Sequence, residues 1–95
     1  MNITFTYRHL DSSQALETRL REQLAKLGSM LPPKIDVHCI MAVEGHRNLV
    51  ELNLTGSHLD LSAHESTDDM YKSLDAAIKH LEKQIKKHKE KLTRH

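Results

Sequence analysis

Between Ile35 and Ala63 apolar side chains recur at every second position, and this rhythm restricts the possible folds more than any other feature. Ile35, Val37, Cys39, Met41 and Val43 alternate with Asp36, His38, Ile40 and Ala42. Val50, Leu52 and Leu54 do the same within residues 49–55, as do Leu59, Leu61 and Ala63 against His58, Asp60, Ser62 and His64. A period of two places successive side chains on opposite faces of an extended chain, so each run reads as a strand with one apolar face. Glu44-Gly45-His46-Arg47-Asn48 is polar, contains glycine and reads as a hairpin loop, and Gly56-Ser57 signals a tight turn. Connections this short predict an antiparallel meander with one face covered and the other solvated.

The cover must come from the flanking segments. Residues 2–8 alternate as well, with Ile3, Phe5 and Tyr7 against Thr4, Thr6 and Arg8, which adds a strand. Leu16, Leu20, Leu24, Leu27 and Leu31 then recur every three or four residues, predicting an amphipathic helix of about four turns. Ser13 is the favoured N-cap within Asp11-Ser12-Ser13, because its short side chain can accept from a free N–H of the first turn. Gly28 can start the exit and Pro32-Pro33 ends it, since proline lacks the N–H and disfavours a helical residue before it. Ser66, Thr67 and Asp68 can each cap a second helix, whose stripe is Met70, Leu74, Ala77, Ile78, Leu81 and Ile85. Apart from Leu92 the stripe stops at Ile85, although the helical pattern continues.

The order is β-α-β-β-β-α. A strand–helix–strand start predicts a parallel pair joined by a right-handed crossover. The expected class is therefore α+β: two layers, a four-stranded mixed sheet with both helices on one face. Ninety-five residues suit one domain, 1–95, with one core. One Phe, two Tyr and no Trp make that core aliphatic, with little room for an enzyme pocket of roughly 300–1,000 Å³. Cys39 stands alone, so no internal disulfide forms, which fits a reducing cytoplasm. No apolar run approaches the roughly 20 residues of a membrane helix, and the first ten residues lack a signal-peptide pattern.

Charge points to a partner. Lys79–His95 carries seven Lys/Arg against two Asp/Glu, a net of +5, while the residues before it carry seven against eleven, a net of −4. At 100° per residue Lys79, Lys83, Lys86, Lys87 and Arg94 fall within an arc of roughly 100°, opposite the apolar stripe. The structural reading is a solvated helix face with cations near its C-terminal end. Solvated faces, however, commonly mix signs as i, i+4 pairs, and this one is almost single-signed. Each cation beside a phosphate releases a counterion, which predicts salt-sensitive, largely sequence-independent nucleic-acid binding. A membrane-surface helix would need exposed bulky apolar residues opposite the lysines, and here the core requires them.

The eight histidines lack the close spacing of a zinc motif. His58 and His64 are expected on one strand face near His38, and His80 and His88 on one helix; no metal or other cofactor is expected. Near pH 6 the histidines add positive charge, so mild acid should strengthen anion binding. No Gly-rich phosphate loop, G-x-S-x-G or H-E-x-x-H occurs. Asp68, Asp69 and Asp75 read as capping and helix-surface carboxylates, and Cys39 as a core thiol. Tyr71, beside Met70 at the start of the stripe, is expected to pack rather than to stack on a base.

In residues 68–92, Asp69-Met70-Tyr71, Asp75, then Leu81, Gln84, Ile85, Lys87, Lys89 and Lys91 resemble the short hibernation-promoting factors of bacteria. The element order and Leu24-Ala25-Lys26-Leu27 of the first helix are similar to that family too, so the resemblance covers essentially the whole chain. It implies a non-catalytic stationary-phase protein of the bacterial cytoplasm that binds the small ribosomal subunit. Its site there would be the channel for messenger RNA and transfer RNA, with rRNA as the expected contact and ribosomal protein as a second candidate. It further implies inhibited translation and ribosomes paired into inactive dimers alongside ribosome modulation factor, the protein itself being a monomer off the ribosome. The chain ends with the basic helix, without the dimerising domain of long members or the tail of the related protein Y, which favours the short, dimer-promoting type. Lys26, Lys83, Lys87, Lys89 and Lys91 match basic places of the family pattern. His80 stands where the family usually has Lys, Gln23 where it often has Arg or Lys, and Gly28 where an acidic residue is common, with Lys79 and Arg19 as nearby substitutes. The expected RNA-binding set is Lys26, Lys79, His80, Lys83, Lys86, Lys87, Lys89, Lys91 and Arg94. The competing readings are a double-stranded-RNA module acting on other RNAs and a small metal-dependent enzyme using the histidines.

Overall fold

A computed structural model describes residues 1–93; Arg94 and the side chain of Leu92 lie outside the described residues. The elements run β1 (Asn2–Arg8), α1 (Gln14–Ala25), a 3₁₀ turn (Gly28–Met30), β2 (Asp36–Glu44), β3 (Arg47–Gly56), β4 (Leu59–Thr67) and α2 (Met70–Thr93). The strands lie in the order β1-β2-β3-β4, with β1 parallel to β2 and the other neighbours antiparallel. The order and the mixed sheet are those the periodicity predicts.

Register turns alternation into layers. Phe5 lies opposite Cys39, Cys39 opposite Leu52 and Leu52 opposite Ala63, giving one apolar row across all four strands. Ile3, Val37, Leu54 and Leu61 make the next row. Leu16, Leu20 and Leu24 of α1 and Leu74, Ala77, Ile78, Leu81 and Ile85 of α2 join the inward strand residues in a single core cluster, so both helices cover the same face. Fully burying a Leu or Ile side chain contributes about 2 kcal/mol, and α2 does so at Leu74, Leu81 and Ile85. Among the described residues Ser73 is the buried polar exception. Its hydroxyl donates to the Asn48 carbonyl (2.6 Å) and lies 2.7 Å from the Thr67 hydroxyl, fixing the start of α2 to β3 and β4.

Four local expectations are corrected. First, α1 stops at Ala25, short of the prolines, because the chain turns into a left-handed conformation at Gly28 (φ +53°). Ser13 does cap it, accepting from the Leu16 N–H at 3.2 Å. Second, Asp69 caps α2, accepting from the N–H groups of Tyr71 (2.8 Å) and Lys72 (3.2 Å). Ser66 and Thr67 still pair with β3 as part of β4.

Third, the first hairpin is tighter than the polar stretch suggests. Glu44 pairs with Arg47, which leaves only Gly45-His46 in the turn, with Gly45 at φ +59°. Fourth, the turn after β3 is Ser57-His58, both at positive φ (49° and 66°), the pattern of a type I′ turn. His58 therefore sits in the turn and not on the face of β4. Gly56, paired with Leu59, serves a different need: a Cβ there would lie 2.6 Å from the Lys34 carbonyl oxygen, against backbone.

At 1.5 Å per residue the 24 residues of α2 span about 36 Å, most of the longest dimension of a 47 × 21 × 19 Å molecule. Beyond Ile85 no described residue is buried, and His88 is half-buried. Lys89 nonetheless meets the 3₁₀ turn, its Nζ donating to the Ser29 carbonyl at 3.4 Å. No helix among the described residues is long and apolar enough to cross a membrane.

Candidate nucleic-acid interface

The outer face of α2 is built from good helix formers (Lys, Glu, Gln) that extend a helix already nucleated on the core, so its second half needs little burial of its own. Lys79, Lys83, Lys87 and Lys91 follow one another at i, i+4 spacing, about 6 Å apart along the axis. All four are exposed, and none has a hydrogen-bond or ion-pair partner among the described residues. The neighbouring cations differ. Lys86 lies 3.1 Å from Glu82 Oε1, Lys72 lies 3.6 Å from Asp68 Oδ1, and Lys89 is held at Ser29. The result is a ridge of four uncommitted ammonium groups flanked by partnered ones.

Lys26, at the end of α1, is exposed and lines the groove between the two helices together with Gln23, Leu27, Met30, Ile78 and Lys79. The fold thus brings Lys26 and Lys79 to one groove. His80 is exposed, and its Nδ1 lies 3.7 Å from Glu65 Oε1 on β4, so unlike the ridge lysines it has a carboxylate beside it. Arg19 does not supply a free cation near Gln23. Its Nε and Nη2 donate to Asp75 Oδ1 (3.1 Å) and Oδ2 (2.7 Å), and that hydrogen-bonded carboxylate raises the guanidinium pKa above its ordinary value. Arg94, the remaining member of the expected set, lies outside the described residues.

The polar side chains of the open sheet face largely partner one another. His38 uses both ring nitrogens, on the hydroxyls of Thr4 (2.6 Å) and Thr6 (3.0 Å). Asn53 donates to Glu51 Oε2 (2.8 Å), and Glu51 Oε1 lies 3.1 Å from His64 Nδ1. His38 and His64 are therefore separated by Asn53 and Glu51 rather than adjacent. Among the described residues no three metal-ligating side chains gather. A concavity of about 480 Å³ on this face is floored by Ile40, Ala42 and Leu49 and rimmed by Arg8, Glu51 and His64. On the other side of the sheet Cys39 is buried, and burial, with Glu17 adding to it, pushes its thiol pKa up to about 12. Such a thiol is no nucleophile.

Tyr71 departs from expectation. Among the described residues it is one of two large hydrophobic side chains left outside, 45% exposed, and its hydroxyl has no hydrogen-bond partner there. It lines a recess with Gln14, Ala15, Thr18, Arg19 and Glu22 of α1. Its angle gave no signal: seven residues before Ile78, Tyr71 lies within about 20° of it around the helix, at the edge of the apolar stripe.

The comparisons with known proteins agree with this architecture. The family described as "Sigma 54 modulation protein / S30EA ribosomal protein" matches residues 3–93. A ribosome hibernation promoting factor of Pseudomonas putida is 33% identical over 91 residues, covering 96% of this chain and 89% of its own length. The factor of the same name from Escherichia coli K12 is 29% identical, with both chains covered completely. A ribosomal subunit interface protein from Coxiella burnetii superposes with a TM-score of 0.82 at 28% identity, covering 94% of this chain and 98% of that one. The N-terminal domain of Thermus thermophilus protein Y shares the fold, with a TM-score of 0.84 at 22% identity over 93% and 99% of the two chains.

Proposed function

Since the chain belongs to the sigma 54 modulation protein / S30EA ribosomal protein family, we propose that it is a bacterial ribosome hibernation factor, binding the small subunit in the channel of messenger and transfer RNA. The observation that carries this reading is the ridge of Lys79, Lys83, Lys87 and Lys91, unpaired among the described residues and joined across the groove by Lys26. Repeated ammonium groups on a rigid helix suit a repeating phosphate backbone, and RNA helices are recognised mainly by shape and backbone contacts. A body seated in that channel stops translation by occlusion, which needs no catalytic residue. Cytoplasmic residence in stationary phase and the pairing of idle ribosomes, with ribosome modulation factor, belong to the same proposal. It rests on the named relatives, which are hibernation promoting factors.

The test is co-sedimentation with small subunits on sucrose gradients at low and high salt. Wild-type protein is expected in the subunit peak and is expected to leave it at high salt. Replacing Lys83, Lys86 and Lys87 together by Ala should release it at moderate salt without changing thermal stability, because all three are exposed. Normal binding by the triple variant would overturn the basic-face mechanism. Efficient competition by free duplex RNA would favour a general double-stranded-RNA module instead.

A further inference from the structure

The recess between the first turns of α1 and α2 has a chemistry the lysine ridge does not use. Tyr71 presents an exposed ring, and beside it the Arg19 guanidinium is held in place by its two bonds to Asp75. Aromatic rings and guanidinium planes are the surfaces on which unpaired bases of RNA stack. Gln14, Thr18 and Glu22 line the same recess of about 500 Å³ and offer both donors and acceptors to a base edge. The Arg19–Asp75 pair separates this recess from the groove of Lys26 and Lys79, since Arg19 lines one and Asp75 the other. From Tyr71 to Lys79 the helix rises only about 12 Å. One short stretch of RNA can therefore put a base on Tyr71 and its following phosphates on Lys79 and Lys26.

We propose that the Tyr71–Arg19 recess is a stacking site for an unpaired base of ribosomal RNA, an inference that rests on the ribosome-binding reading above. A basic ridge alone holds any polyanion. An aromatic seat at one end selects places where a nucleotide is splayed out of its helix, and so fixes where along the RNA the ridge settles. The acidic Glu22 in the recess argues in the same direction, because it repels a phosphate while accepting from the amino group of a base.

The experiment measures affinity of the full chain for purified small subunits across a series of salt concentrations, with wild type, Tyr71→Phe, Tyr71→Leu and Tyr71→Ala. Loss of one base stack weakens binding roughly fivefold to a hundredfold. Tyr71→Ala and Tyr71→Leu should both show that loss, and Tyr71→Phe, which keeps the ring, should stay within about twofold of wild type. The slope of log affinity against log salt should be the same for all four, because every phosphate keeps its cation. Full affinity in Tyr71→Leu would mean an apolar contact to ribosomal protein and would overturn the proposal. A photoreactive phenylalanine at position 71 gives a direct readout: cross-links to rRNA are expected, and cross-links to protein alone would overturn it. Failure of wild type to bind sinks the ribosomal reading and this site with it, whereas normal wild-type binding with an unaffected Tyr71→Ala sinks this site alone.

Discussion

At the scale of single residues, backbone geometry and burial assign roles that residue type leaves open. Gly56 looks like a turn glycine, yet the turn is made by Ser57 and His58 in strained left-handed conformations, and Gly56 is there because the Lys34 carbonyl leaves no space for a Cβ. Cys39 carries a titration consequence. Its folded-state pKa of about 12 lies above the ordinary 9.0, so the buried neutral thiol contributes stability that is fully present below about pH 9. That contribution falls as the pH rises from about 9 toward about 12. Tyr7, raised mainly by burial, shifts in the same direction, so the comparison must isolate Cys39. Urea midpoints measured at pH 8, 10 and 11 should fall more steeply for wild type than for Cys39→Ala. Parallel curves would show that the thiol is not protected by its site.

At the scale of elements, α2 does two jobs along different faces. One face supplies the core from Met70 to Ile85; the other carries lysines whose availability depends on their neighbours. Glu82 engages Lys86 and Asp68 engages Lys72, while Lys79, Lys83, Lys87 and Lys91 have no partner among the described residues. Counterion release makes this distinction measurable. Replacing Lys83 or Lys87 singly by Ala should reduce the slope of log affinity against log salt by about 0.7 to 0.9 for each phosphate left without its cation. Lys72→Ala, at the other end of the helix and paired, should leave the slope unchanged. Equal effects from Lys72 and Lys87 would mean that net charge alone matters. His80, where the family usually has Lys, differs from the ridge lysines in having a carboxylate, Glu65 on β4, beside its ring.

At the scale of the whole molecule, a two-layer domain with one basic ridge is a wedge with a charged side. Its net charge is only +1, but the positive pole is concentrated at Lys79–His95. Non-uniform charge of this kind orients a protein as it approaches a polyanion, whatever its total. Were the protein seated in the channel as proposed, a body of 47 × 21 × 19 Å would compete there with a second occupant. Small subunits preincubated with the protein should therefore fail to retain labelled messenger RNA, and excess messenger RNA should delay binding of the protein. Simultaneous retention of both would rule out occlusion, even with high-affinity binding.

The order of elements, the single covered sheet face and the helix bearing the basic ridge were legible in the sequence, because each is written in a local period of two or of three to four. Ser13 and the aliphatic core were legible for the same reason. The tertiary structure decided what depends on distant partners. How far β3 and β4 pair moved the cap of α2 from Ser66, Thr67 or Asp68 to Asp69. How closely the helices approach paired Arg19 with Asp75, set Lys26 beside Lys79 and left Tyr71 at the surface. Periodicity reports which side of an element is apolar. It carries no information about which residue of another element will stand opposite, and that is what sets Arg19 against Asp75 and His80 against Glu65, whereas Lys72–Asp68 and Lys86–Glu82 lie four residues apart in sequence.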